Sequence, residues 1–315
     1  MNDVLFSSVN DTTLISAVIL LCGLSVLLFL TAAGLPLTSA ALLFAPSKRV
    51  KVFRDKFGQQ TATLCLLTGF LGLLCLAACI FVSLTRPNSH FPVLTSPLLI
   101  PLAGAFVLAG LLALVYRAAW QGLKHKRVIH ASIGAAATLA AWAAFYLFIA
   151  SSRQHPATPS APAPDLETLI LSTGSWIFLF LLCALSLTLA GALSSLYLIL
   201  RRKKDDFGRD YYNYALKLAC KWALFSAVPV LAFHAWLTVM LAGPMTFSPA
   251  ARGYAAFLIW DGPAAALCLL IACVFWALVL KNQNPLRLKL LCIVATVLTW
   301  AAAVGMMAGY ANLGY

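Results

Sequence analysis

RRKKDDFGRDYYNYALKLACKW, residues 201–222, holds the densest cluster of charge in an otherwise apolar chain. A quieter version stands earlier, KRVKVFRDKFGQQTATLC, residues 48–65. Each contains Arg-Asp, at Arg54-Asp55 and Arg209-Asp210, and each has a Cys ten residues after the Asp, Cys65 and Cys220. Sliding the chain by 155 residues without gaps superposes the two phrases. The same shift brings Leu14-Ile15 onto Leu169-Ile170, Ser39 onto Ser194, Lys48 onto Lys203 and Lys126 onto Lys281. The economical reading is a duplicated unit that carries the phrase once per copy.

The unit is membranous. The chain is 62% hydrophobic and 10% charged, where soluble domains run near a quarter charged. Its apolar residues fall in eight long blocks, 13–44, 61–83, 97–119, 128–150, 169–200, 214–240, 254–280 and 288–310. About 20 such residues cross a hydrocarbon core as a helix, and a helix satisfies its own backbone hydrogen bonds inside lipid. The first block has no basic leader and is too long for a cleaved signal peptide. The expected fold is therefore an all-α integral membrane protein with eight transmembrane helices in two duplicated four-helix units. Residues 1–150 form the first unit, 151–167 a Pro/Ala-rich linker, SSRQHPATPSAPAPDLE, and 168–315 the second. The first helix of each unit is unusually long and must tilt, kink or protrude. Gly34-Leu35-Pro36 is the expected kink in the first.

A net charge of +13 is high enough to suggest nucleic acid, but its placement excludes that partner. The segments after spans one, three, five and seven hold Lys48 to Lys56, Arg117 to Arg127, Arg201 to Arg209, and Lys281 to Lys289. The opposite loops hold only Arg86, Arg153 and Arg252. Cytoplasmic loops collect Lys and Arg, so the linker and both termini are expected outside. Anionic lipid headgroups suffice as partner for the basic face. All nine cysteines lie within the expected spans. They read as small buried apolar side chains and form no disulfide framework.

Ionisable groups at membrane depth are functional candidates, and they are few. His234 and Asp261, the latter in Trp260-Asp261-Gly262-Pro263, belong to spans six and seven near the outer face. They are the candidate quinol and proton site, with Asp261 as proton acceptor. Trp236 and Trp260 are candidates to line a quinone cleft, or to sit in the interfacial aromatic belt. Met306 and Met307 lie at a similar depth in span eight, and a His/Met pair is a known axial set for haem iron, so His234 with either Met is a candidate b-type haem site. His130, near the inner end of span four, is about 25 Å too deep to share a ligand with His234. The first unit has Cys79 and Phe106 where the second has His234 and Asp261, which places any chemistry in the second half. No CxxCH, Walker A, GxSxG or HExxH is present, and no metal site is expected.

Two respiratory families resemble this layout. Gly34-Leu35-Pro36, the basic-aromatic entry Asp210-Tyr211-Tyr212-Asn213-Tyr214-Ala215 and the stretch His130 to Pro156 are similar to features of subunit I of cytochrome bd quinol oxidases. That resemblance implies a His and a Met near the outer face binding a b-type haem, positions that His234 and Met306 or Met307 match. The family's His in the first span and its buried Glu residues have no counterpart here. The eight spans and outer termini also resemble the membrane anchors of dimethyl-sulfoxide and polysulfide reductases, which implies a quinol pocket without a covalent cofactor. Both imply a multi-pass subunit in a bacterial cytoplasmic membrane that meets quinone and passes electrons to a partner, a multihaem cytochrome or an iron–sulfur protein. Two other readings remain open: a small-solute permease, suggested by the repeat and by the breaks at Gly243-Pro244 and Gly262-Pro263, and a cofactor-free scaffold or assembly protein.

Overall fold

A computed structural model describes residues 2–44, 50–84, 98–123, 125–152, 173–205, 207–242 and 262–312. They form eight long helices: α1 Asn2–Ala40, α2 Lys51–Leu84, α3 Leu99–Ala118, α4 Arg127–Ser152, α5 Thr173–Arg201, α6 Arg209–Ala242, α7 Gly262–Lys281 and α8 Lys289–Asn312. Two 3-10 turns, Ala41–Phe44 and Pro285–Leu288, follow α1 and lead into α8. Each of the eight helices contains a segment long and apolar enough to cross a membrane. The chain is an all-helical, multi-pass membrane protein.

Two spans begin earlier than hydropathy places them. The apolar blocks start at 61 and 214, whereas α2 starts at Lys51 and α6 at Arg209. Both charged phrases are therefore largely helical. Lys and Arg are good helix formers, and the phrases interleave their charges with Phe53, Phe57, Tyr211 and Tyr212, which turn one face inward. Phe57, Tyr211 and Tyr212 are fully buried with Leu42, Leu198, Ala215 and Ala219. Asp210 sits in the first turn of α6, where a negative charge suits the positive end of the helix dipole.

Neighbour order in the first four helices recurs in the last four. α1 packs on α2 and α4, and α3 on α4; likewise α5 packs on α6 and α8, and α7 on α8. The two sets meet chiefly along α1 and α5. In α5, 72% of the apolar stretch is buried, against 44% in α1, so α5 is the axis of the bundle. Small residues permit this approach. A Cβ added to Gly34 would come within 2.3 Å of the Ser186 carbonyl oxygen, and one added to Gly191 within 2.4 Å of the Ala223 nitrogen.

α1 stays helical through Pro36 to Ala40. Proline has no N–H, so the carbonyl one turn back, Ala32, loses its helical donor. The Cys65 thiol donates to that oxygen at 3.3 Å, and Thr138 Oγ1 donates to the adjacent Ala33 carbonyl at 2.9 Å. Two neighbouring helices thus serve the backbone that the proline opens.

The basic connections gather at one end of the bundle. Arg117 Nε donates to Thr63 Oγ1 at 2.7 Å, Arg209 Nη2 to Asn284 Oδ1 at 3.0 Å, and Lys56 lies 4.0 Å over the Phe207 ring. The two repeated phrases meet there. Phe53 packs on Tyr211 and Tyr214, with ring centres 5.8 and 5.9 Å apart. Tyr211 donates to Gln60 Oε1 at 2.5 Å, and Gln60 Nε2 donates to Asp205 Oδ2 at 3.3 Å. Arg201 pairs with the same Asp205 oxygen and donates to Tyr197 at 2.7 Å, while Tyr212 donates to the Asp205 carbonyl. The two phrases are two sides of one joint.

Candidate functional site

At the opposite end, His234 lies on α6, 25 residues after Arg209 and hence about 38 Å along the helix from the basic face. Its side chain is buried, 4% exposed. Its Nδ1 is 2.7 Å from the Tyr310 hydroxyl on α8, and its Nε2 is 3.1 Å from the Gly262 carbonyl at the start of α7. A carbonyl only accepts, so Nε2 carries the proton and donates it; Nδ1 accepts from Tyr310. The Tyr310 ring in turn meets Phe178 of α5 edge-on at 5.3 Å. One imidazole thereby ties α6 to α7 and α8, and through Tyr310 to α5. Thr238 Oγ1 donates to the His234 carbonyl one turn on.

Tyr310 was not among the residues singled out from sequence. Its signal was available: it lies four residues beyond Met306, at the same end of the last span as His234, and a buried phenol needs a partner. Met306 is fully buried, in the apolar core with Phe178, Leu181, Leu185 and Ala303, and Met307 packs at the edge of that core. With both imidazole nitrogens engaged, the His234, Met306 and Met307 set does not fit an axial ligand pair for haem; an iron at either nitrogen would displace a bond that joins two helices. Among the described residues, no three His, Cys, Asp or Glu side chains gather as a metal site would require.

Asp261 and Trp260 lie outside the described residues. In the sequence Asp261 directly precedes Gly262, whose carbonyl His234 holds. Trp236 is on α6, two residues from His234, and is 55% exposed on the lipid-facing side. His234 and Met306 thus belong to the interior of the second half, and Trp236 to its surface.

His130 is buried at the basic end. Its Nε2 donates to the Tyr116 carbonyl in the last turn of α3 at 3.1 Å, between the rings of Tyr116 and Trp120. The Tyr116 hydroxyl meets Ser39 of α1 at 2.8 Å. This histidine serves an orphan carbonyl at a helix end.

A cavity of about 800 Å³, open on one side, lies between α4, α5 and α6. Its wall is almost wholly apolar and aromatic. The neighbouring polar groups are committed elsewhere: Trp142 Nε1 donates to Ser186 Oγ at 3.1 Å, and Ser226 donates to the Trp222 carbonyl.

These features define an eight-span helical membrane protein with a buried histidine near each end of its bundle, His130 at the basic end and His234 at the other. Neither family models nor curated proteins match the sequence. The fold is shared with a solved structure of bd oxidase from Geobacillus thermodenitrificans, with a TM-score of 0.68 over 95% of this chain and 88% of that one, at 10% sequence identity. The TM-score and coverage establish a bd-like architecture, and an identity this low leaves function to be argued from the site.

Proposed function

We propose that this chain is a membrane subunit of a respiratory electron-transfer complex in a bacterial cytoplasmic membrane, and that it meets quinol at the His234 end of its second half. The observation that carries the reading is the shared fold with a bd oxidase chain over 95% of the sequence. The basic end faces the cytoplasm in this reading, so the His234 end faces outward. Asp261 accepts a proton from the bound quinol hydroxyl. His234, held between Gly262 and Tyr310, fixes the start of α7, the residue next to Asp261 in sequence. Oxidation of one quinol yields quinone, two protons released outward and two electrons taken by a partner subunit, a multihaem cytochrome or an iron–sulfur protein.

A haem held by His234 and Met306 or Met307 is not part of the proposal, because the imidazole is already committed. A hydrophilic permease is disfavoured by the lining of the cavity between α4, α5 and α6, which is almost wholly apolar. The test of the site is Asp261→Asn assayed for quinol oxidation in membranes that contain the whole complex. Turnover falls at least about tenfold if Asp261 carries the proton, within the range of general-base effects; unchanged turnover removes the assignment.

A further inference from the structure

We infer that the cavity between α4, α5 and α6 holds the polyprenyl tail of a membrane quinol. This rests on the quinol reading above and extends it to a second part of the substrate molecule.

The cavity has the size of a small-molecule site, about 800 Å³, within the usual range for ligand pockets. Its depth is informative. On α5 it runs from Trp176 to Leu187, about 5 to 21 Å from the end where His234 lies. On α6 it runs from Trp222 to Phe233, about 20 to 36 Å from the basic end. It therefore spans the half of the bilayer between the midplane and the His234 face. A quinol whose ring is oxidised at that face must keep its tail in this half.

The wall chemistry points the same way. Tyr146 of α4 packs at a tilt on Trp176 of α5 at 5.3 Å, Trp176 neighbours Phe180 at 6.3 Å, and Phe180 stacks on Phe233 of α6 at 5.8 Å and 23°. This aromatic arc crosses the end of the cavity nearest the membrane face. Below it, the small residues Ala143, Cys183 and Ala184 leave the floor low. No charged side chain lines the space, so a phosphate or solute has nothing to bind, whereas a hydrocarbon chain has a dry bed. On α6, Phe225, Pro229 and Phe233 follow one another at helical spacing, and Trp236 continues that face one turn further out. The groove thus leads from mid-membrane toward Trp236, which the sequence offers either for a quinone cleft or for the interfacial aromatic belt.

The cavity also joins the two halves of the chain, since α4 belongs to the first and α5 and α6 to the second. Helices α4 and α5 do touch directly, but their contact is limited beside that of α1 with α5. A bound tail would fill what their packing leaves open.

The experiment uses the full chain with its partners. Lipids are extracted from the purified complex, and polyprenyl quinone and phospholipid are counted per protein by mass spectrometry, for wild type, Ala143→Trp and Cys183→Phe. Both substitutions fill the cavity from partly exposed positions, and a melting curve for each verifies folding. Turnover is measured in parallel with a polyprenyl quinol and with a quinol bearing only a methyl group in place of the tail. Wild type retains close to one quinone, and the filled variants lose it. Their KM for the polyprenyl quinol rises at least about tenfold at constant kcat, while the KM for the tail-less quinol stays put. Phospholipid alone in the extract, or quinone retention and KM unaffected by both fillings, overturns the inference. Failure of the wild-type complex to oxidise either quinol sinks the catalytic reading instead, and quinone retention still decides the cavity.

Discussion

Gln60 and Tyr211 stand 151 positions apart, one in each copy of the repeated phrase, and share a 2.5 Å hydrogen bond at the basic end of the bundle. Tyr211 is fully buried and Gln60 nearly so. The bond therefore forms where neither group has water as an alternative, and Gln60 spends its amide hydrogen on Asp205. The bond keys α2 to α6 across the bundle.

Tyr211→Phe and Gln60→Leu each weaken that joint. Interhelical hydrogen bonds in membrane proteins are worth about 0.6 kcal/mol on average and reach about 1.7 kcal/mol. Each single variant is expected to lose about 1–2 kcal/mol, because the partner left behind is a buried polar group. The double variant is expected to lose less than the sum. A double-mutant cycle of detergent unfolding measures this, and strict additivity would show that the pair is not coupled.

At the α1–α5 crossing the constraint is steric. Gly34→Ala places a methyl group against the Ser186 carbonyl, where backbone must move. Gly104 has open space around its Cα. Overpacking costs about 1–3 kcal/mol, so Gly34→Ala lowers the melting temperature and Gly104→Ala does not. Equal melting temperatures for the two variants would contradict the close crossing.

Cys65 is predicted to matter through Pro36. Cys65→Ala leaves the Ala32 carbonyl without a donor and costs about 1 kcal/mol, whereas Cys65→Ser supplies a hydroxyl and is tolerated. In a Pro36→Ala background the helix regains the N–H that reaches Ala32, and the cost of Cys65→Ala shrinks. Thermal stability of the four variants tests it. A cost independent of residue 36 would separate the thiol from the proline.

Tyr310→Phe removes the hydroxyl that His234 Nδ1 accepts. The expected loss is about 1–3 kcal/mol for a buried acceptor left without its donor, seen as faster hydrogen exchange at the start of α7. If the exchange rate there is unchanged, the imidazole does not organise that helix end.

Much of this architecture was legible. Eight apolar blocks gave eight helices, and the odd-loop basic residues marked the end where Thr63, Arg117, Gln60, Arg209 and Asn284 now meet. The helix starts were misplaced at Lys51 and Arg209, because hydropathy scores charge as loop while Phe53, Phe57 and Tyr211 still bury one face. Alignment by 155 residues equated Arg54 with Arg209, yet Arg54 is buried and Arg209 is exposed. The two phrases pack against each other, so equivalent positions meet different surroundings. At the candidate site, sequence depth brought out His234 with Asp261 and with Met306 or Met307, whereas the fold gives it Tyr310 as hydrogen-bond partner. A depth estimate places residues along the membrane normal and is blind to which way each turns about its helix. That rotation sends Met306 into apolar packing and Tyr310 to the imidazole.

The central claim is that this subunit takes part in passing electrons from quinol to a partner. The most direct measurement is the visible spectrum of the complex purified through this chain from a haem-replete host, before and after addition of quinol. The account predicts a co-purified redox centre that quinol reduces within turnover time, with the reduction slowed in Asp261→Asn. A chain that purifies with its partners intact but carries no centre reducible by quinol would contradict it.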